Sequence, residues 1–344
     1  MKGYKCDTSI IEKEIEMIDK VLDKHALKVT DHKECYQLNK YYVKMNYDTD
    51  IKELFSSKPN FAIALDDESI RLYRDGSNFI IEKKRDNARL LASVFERDSK
   101  WKNIQGAKIL LGVDEDGNSV ITDLAKAPHI LVAGKAGSGK TMFLMNVINS
   151  IFFKSKTFPI VLDSSSQRLQ KIYGRANHNY IYGSESNFRK LIDLNELLKQ
   201  RLENMDKLGF ANISGTEYVS AYIIVNGVEE LISQRPDAEI LLTNIAEFGA
   251  KAGFHLVLCL ENMESGAYTK RLRDLIPVKV CFKTKNPSQS AMIIGYEGAE
   301  TLFGNGDMFF LGKDMSKPIR IQAPFLSESD IESIAEMVGK VKTS

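Results

Sequence analysis

No run in this chain approaches the ~18 consecutive apolar residues of a membrane-crossing helix, and the opening Met1-Lys2-Gly3-Tyr4 does not begin a secretion signal. The expected compartment is the cytoplasm, with any membrane attachment supplied by a partner. Neither sign of charge is in surplus: 47 Lys and Arg stand against 46 Asp and Glu, a formal net charge of +1. That balance excludes a global basic field, although a basic lining inside a neutral ring is compatible with it. Cysteine is scarce. Cys6, Cys35, Cys259 and Cys281 lack metal-ligand spacing, and the last two fall in apolar strand-like runs, so buried reduced thiols are expected. No Pro/Ser/Gly-rich tract, low-complexity segment or internal repeat interrupts the chain. What is present is an ordinary globular composition, 43% hydrophobic and 27% charged over 344 residues, enough for two domains or one large one.

The pattern changes along the chain. Residues 9–26 set Ile10, Ile11, Ile15, Ile18, Val21 and Leu22 at helical spacing, which predicts an amphipathic helix. Short strand-like runs follow at 41–45, 61–65, 70–73 and 79–81, with Asp75-Gly76 as a hairpin-like turn, so a small α+β module is expected. Residues 97–118, with Trp101 and Asp116-Gly117-Asn118, read as a connecting hairpin. From Pro128 onward strands are expected at 130–133, 160–162, 221–225, 254–260, 277–284 and 307–311. Helices are expected at 141–153, 186–208, 238–251 and 329–341. Strands that are apolar on both faces predict an α/β fold whose mostly parallel sheet lies between helices. The expected division is residues 1–110 for the small module and 111–344 for the α/β domain.

Residues 134–141 carry the chemistry. Gly134-Lys135-Ala136-Gly137-Ser138-Gly139-Lys140-Thr141 follows the apolar run Ile130-Leu131-Val132-Ala133 and precedes a helical pattern beginning near Met142. This is a phosphate-cradling P-loop in its strand-loop-helix setting. Its glycines let the backbone wrap phosphates closely, and its N–H groups point at the anion. Lys140 reaches the terminal phosphates and Thr141 offers its hydroxyl to Mg²⁺, so the expected ligands are ATP and magnesium.

Hydrolysis needs two further parts: an acid ordering the metal shell at the end of a second strand, and a neighbouring group polarising the attacking water. The strand Tyr222-Ile223-Ile224-Val225 runs instead into Asn226-Gly227-Val228-Glu229-Glu230. Asn226 accepts from a metal-bound water without contributing charge, and Gly227 has no side chain. Glu229, Glu230 and Glu261 are the acids available for recruitment, against the plainer reading of a solvated acidic turn and a strand-terminal acid. Asp163 ends the preceding strand, facing the nucleotide or a partner subunit, or capping the next helix with Ser164 to Ser166 following. Arg201, Arg271 and Arg273 are available to reach phosphate across a subunit boundary, or are simple surface arginines. Lys83-Lys84-Arg85 is a solvated run or a phosphate contact.

With these residues in place the chain resembles the FtsK/SpoIIIE family of ring-forming DNA translocases. Gly112-Val113-Asp114 and the stretch Asp123 to Gly134 match that family's approach to its phosphate loop. Gly253-Phe254-His255-Leu256-Val257-Leu258 resembles its A-G-I-H-L-I-L strand, and Gly298 to Met308 resembles its G-A-E-x-L-L-G-x-G-D-M signature. The resemblance spans about 39–340 and implies a RecA-like α domain behind a small β domain, without the family's winged-helix domain or membrane segments. It further implies double-stranded DNA as partner and a homo-oligomer, a hexameric ring, or association with an active motor. Four departures accompany it. Asn226-Gly227 stands where the family has Asp-Glu, and Leu260-Glu261-Asn262-Met263 where it has Thr-Gln-Arg-Pro. Ala250 stands in place of an arginine, and Ser164-Ser165 in place of Pro-Lys. An intact grip with an eroded acid set predicts ATP binding with weak or absent hydrolysis. The alternatives are a fully active DNA pump using substitute acids and a type VII-like protein-secretion module. Asn226→Asp with Gly227→Glu is expected to raise hydrolysis if the rest of the site is sound.

Overall fold

The computed structural model describes residues 8–35, 38–85, 108–155, 159–174, 179–261, 270–327 and 329–331. Trp101, Cys6 and most of the expected final helix lie outside these residues. The chain forms two compact units. One comprises residues 8–85 with the turn 114–118; the other comprises 108–113 and the described residues from 119 onward.

In the first unit, α1 (Thr8–Leu22) buries Ile11, Ile18 and Leu22 at helical spacing. β1 (Val29–Glu34) and β2 (Leu38–Lys44) follow, then α2 (Ile51–Ser56), α3 (Lys58–Ala64), β3 (Arg71–Asp75) and β4 (Asn78–Lys84). The strands form an antiparallel sheet in the order β1-β2-β4-β3. Asp50 caps α2 by accepting from the Lys52 and Glu53 amides. Tyr41, Val43, Phe79, Ile81 and Leu72 on one sheet face share a core with α1, Leu54 and Phe61. The run 61–65 is not a strand. Phe61 and Leu65 lie four residues apart and are both buried, while Ile63 points outward at 80% exposure, and Pro59 opens the helix. A spacing of four satisfies both the two-residue and the helical period, and here the helix prevails.

The second unit holds β5 (Lys108–Asp114), β6 (Ser119–Asp123), β7 (His129–Ala133), α4 (Lys140–Ser155), β8 (Ile160–Asp163), α5 (Gln167–Tyr173) and β9 (Tyr180–Tyr182). It continues with α6 (Ser184–Lys207), β10 (Ala221–Asn226), α7 (Val228–Gln234), α8 (Ala238–Phe248) and β11 (Phe254–Leu260). Last come α9 (Lys270–Asp274), β12 (Val278–Phe282), α10 (Pro287–Ile294), β13 (Asp307–Leu311) and β14 (Ile319–Gln322). Ten strands make one sheet in the order β6-β5-β14-β13-β12-β7-β11-β10-β8-β9. β12-β7-β11-β10-β8-β9 are parallel, whereas β13 and β14 return antiparallel.

Alternate residues of each central strand feed opposite cores. Ile130 and Val132 pack with α4, while Leu131 and Ala133 pack with α6 and α8; Ile224 and Ile223 divide in the same way. This two-sided burial explains the unbroken apolar runs. The expected helix 238–251 stops at Phe248 and is followed by a 3₁₀ turn at Ala250–Ala252. At the amino-terminal edge of the parallel strands, His129 on β7 and His255 on β11 are both buried, on opposite faces of the sheet because His129 pairs with Leu256. The Leu256 amide donates to His129 Nδ1 at 3.1 Å, and the His255 ring stacks on Tyr222 at 5.3 Å between centroids. Burial holds both imidazoles down at about 4, and the neighbouring His255 adds to the effect on His129.

Candidate functional site

Register brings the carboxyl ends of four parallel strands to one level. Asn226 pairs with Asp163 on one side and Cys259 on the other, Cys259 pairs with Val132, and Leu260 pairs with Ala133. The segment 134–139 leaves β7 at that level and hands the chain to α4, whose first residue is Lys140. Gly134 and Ser138 are buried, Ala136 and Gly137 form the exposed tip, and Lys135, Gly139, Thr141 and Met142 are half-buried.

Two neighbours pin this loop. The Lys135 amide donates to the Lys283 carbonyl at 2.8 Å, beyond β12, and the Gly306 amide donates to the Ser138 carbonyl at 2.9 Å. Gly139 has φ +115°, and a Cβ there would lie 2.6 Å from the Gly306 nitrogen, so only glycine permits both the conformation and the approach. The Gly306 turn is itself anchored by Asp307, which takes both Arg320 donors at 2.8 and 2.7 Å and the Phe303 amide at 2.8 Å. The sequence motif around Gly304-Asn305-Gly306 thus buttresses the phosphate loop, a role its spacing alone did not disclose.

Lys140 is buried, and its ammonium donates to the Gly134 carbonyl at 2.7 Å, the Lys135 carbonyl at 2.9 Å and Glu261 Oε1 at 3.2 Å. The Glu261 amide in turn donates to Glu229 Oε1 at 2.7 Å. Glu229, in the first turn of α7, therefore reaches the strand ends, whereas Glu230 is exposed and accepts from Gln234 one turn along its own helix. Of the three acids weighed from sequence, the structure brings Glu229 and Glu261 to the site and leaves Glu230 outside it. Burial pushes the Cys259 thiol beneath this group up to about 12. Glu229, Glu261 and Asp163 push the same way, and Lys140 pulls against them.

Asn226 donates its amide to Asp163 Oδ1 at 2.9 Å and, at longer range, to Ser165 Oγ, which leaves its carbonyl oxygen as the acceptor. Asp163 is wholly buried. Its Oδ1 also accepts from the Ser165 and Ser166 amides, and its Oδ2 from the Tyr180 hydroxyl. That is the capping arrangement, with Ser166 Oγ accepting the Leu169 amide at the start of α5. Gly227 is left-handed at φ +79°, and a Cβ there would meet Ser165 Oγ at 2.9 Å. A glutamate at this position is strained, so the double restoration expected from sequence is unsound and Asn226→Asp alone is the cleaner change.

Arg201 donates to the Val219 and Ala252 carbonyls and lies over Tyr218 and Phe254, and Arg271 pairs with Glu247. In the first unit, Lys83 pairs with Glu14 at 2.7 Å and Arg85 donates to the Cys35 carbonyl at 3.2 Å.

A parallel α/β sheet with a Gly-Lys-Thr loop at its carboxyl edge defines the class: a P-loop ATPase fold. Comparison adds a family likeness. Residues 90–233 match the FtsK/SpoIIIE family. It is 27% identical over 334 residues to the DNA translocase FtsK of Sporosarcina ureae, covering 88% of this chain and 42% of that protein. It is 26% identical over 334 residues to the DNA translocase SpoIIIE of Bacillus subtilis (strain 168), covering 88% and 41%. The chain thus spans about two fifths of the length of these relatives. The fold resembles that of the pCW3 conjugation coupling protein TcpA, a monomer form with ATPgS. There the TM-score is 0.65 at 16% identity, with 98% of this chain and 100% of that chain covered. It also resembles the cytoplasmic domain of the Thermomonospora curvata type VII secretion ATPase EccC, with a TM-score of 0.59 at 18% identity over 69% and 32%. No helix among the described residues is long and apolar enough to cross a membrane.

Proposed function

We propose that this chain is the nucleotide-gripping motor domain of a DNA-transfer or segregation apparatus, and that it binds ATP with Mg²⁺ while hydrolysing it slowly. The observation that carries this reading is a pinned phosphate loop whose neighbouring strand ends in an amide and a glycine. Residues 134–142 hold the phosphates through loop amides, Lys140 supplies the positive charge, and Thr141 Oγ1 and the Asn226 carbonyl offer neutral oxygens to the metal shell. The donor set fits a magnesium nucleotide, since hard oxygen donors suit Mg²⁺ and phosphate oxygens complete its shell. Magnesium supplies neutralisation of phosphate charge when bound. The protein's own residues grip and orient, and no carboxylate stands at 226 or 227 to draw a proton from water. Loss of a positioned base typically costs about 10²–10⁴ in rate.

In this reading the chain acts on double-stranded DNA as a ring-forming oligomer or as the partner of an active motor, with residues 1–110 as its small β-like domain. Its compartment is the cytoplasm, with membrane contact through a partner. The test is steady-state ATP turnover with and without duplex DNA, alongside calorimetric ATP uptake. Uptake with turnover far below about 1 s⁻¹ supports the proposal; DNA-stimulated turnover in the ordinary range of about 1–10³ s⁻¹ overturns the slow-hydrolysis part.

A second reading rests on Glu229, whose carboxylate already lies at the strand ends. There it replaces the missing acid and the chain is an active pump. Glu229→Gln separates the two: it abolishes turnover in an active pump and changes nothing in a binding module.

A further inference from the structure

Lys140 is fully occupied. Its ammonium carries three donors, and the Gly134 carbonyl, the Lys135 carbonyl and Glu261 Oε1 take all three at 2.7, 2.9 and 3.2 Å. The two carbonyls belong to the loop itself and carry no net charge. The third partner is a full negative charge contributed by another strand, 121 residues away in sequence.

The two ends of this ion pair are unlike. The Lys140 side chain is 6% exposed, while that of Glu261 is 55% exposed. Lys140 is the first residue of a buried helix and has nowhere to go. Glu261 follows the last residue of β11, and its own amide is tied to Glu229 at 2.7 Å. A fixed backbone therefore carries a side chain that swings into water at little cost, because a half-exposed carboxylate is already partly hydrated.

We infer that the Glu261 carboxylate is a built-in competitor for the nucleotide's phosphates: it sits on the phosphate-binding ammonium and must be displaced before a polyphosphate can engage Lys140. This inference rests on the reading of residues 134–142 as a nucleotide site and assigns Glu261 the task of setting affinity there. The chemistry also defines what is discriminated. A ligand gains from displacing Glu261 only if it brings a phosphoryl group as far as Lys140, so nucleoside di- and triphosphates compete with the carboxylate and a nucleoside monophosphate does not. Glu261 thereby sets the threshold nucleotide concentration at which the loop loads.

The experiment measures dissociation constants of MgATP, MgADP and AMP for the full chain and for Glu261→Gln and Glu261→Ala. Gln keeps an acceptor oxygen and removes the charge; Ala removes both. Glu261 is a half-exposed surface side chain, and circular dichroism and a thermal melt verify that each variant is folded. The expected result is MgATP binding tightened about 3- to 10-fold in Glu261→Gln and at least as much in Glu261→Ala, with AMP unchanged. Glu261→Asp, one methylene shorter, should fall between wild type and Gln. An MgATP constant within twofold of wild type in both variants overturns the inference while leaving the nucleotide reading intact. Weakened MgATP binding also overturns it, and assigns the carboxylate to the metal shell. Failure of folded wild type and both variants to take up MgATP at millimolar concentration overturns the nucleotide reading and this inference together.

Discussion

Asn226 and Gly227 close the end of β10 beside the phosphate loop, and both are locked by local chemistry. The Asn226 amide donates to Asp163 at 2.9 Å, so Asn226→Asp replaces an attractive contact with two facing carboxylates. Removing such a buried hydrogen bond costs about 1–3 kcal/mol. The variant is expected to melt lower than wild type in EDTA and to regain part of the difference in magnesium with ATP, as followed by differential scanning fluorimetry. Gly227 is more constrained still. At φ +79° with Ser165 Oγ 2.9 Å from a new Cβ, Gly227→Ala should cost about 1–3 kcal/mol in chemical denaturation. The sequence disclosed the identity of these two residues. It did not disclose the left-handed backbone, because glycine permits that conformation without announcing it.

At the level of elements, the central strands and the phosphate loop were legible because two-sided burial leaves continuous apolar runs that no turn chemistry interrupts. The errors have physical causes. β1 is an exposed edge strand rich in charge, β9 has only three residues, and β14 alternates Ile319-Arg320-Ile321-Gln322 too briefly to stand out. Glu229 was indistinguishable from Glu230 until the helix phase of α7 was known. Two predictions belong here. Arg320 and Asp307 join β14 to β13 through a buried bidentate pair, so Arg320→Met should cost about 3–5 kcal/mol by stranding the Asp307 carboxylate.

β7 and β11 carry the second prediction. His129 and His255 are held near 4, below the ordinary 6.5, so the unfolded chain binds more protons than the folded one between those values. Their contribution is complete above about pH 6.5 and is lost as pH falls towards 4, at up to about 1.4 kcal/mol per pH unit for each imidazole. Urea melts of wild type across that window should steepen in their pH dependence relative to a His129→Asn, His255→Asn variant. Equal slopes would mean that acid lability arises elsewhere.

For the whole molecule, the two units have separate apolar cores, and the candidate site lies wholly in the second. A nucleotide that binds only the folded second unit stabilises it by mass action, by about 2.7 kcal/mol at a hundredfold excess over its dissociation constant. MgATP should therefore shift the melting of that unit, reported by residues from 119 onward, and leave hydrogen exchange within residues 8–85 unaltered. A shift confined to the first unit would refute the placement of the site. The sequence marks a change of pattern near residue 110 and carries no signal that the turn 114–118 groups with the first unit, because a hairpin tip does not announce what it will pack against.

A methyl group at Gly139 would meet the Gly306 backbone, whereas one at Gly306 would meet the Gln322 side chain. The constraint is consequently a one-way evolutionary lock. A lineage can abandon the glycine at 139 only after rebuilding the turn that lies 167 positions later. Even a copy that had stopped turning over fuel would keep both residues for as long as it needed this sheet to close.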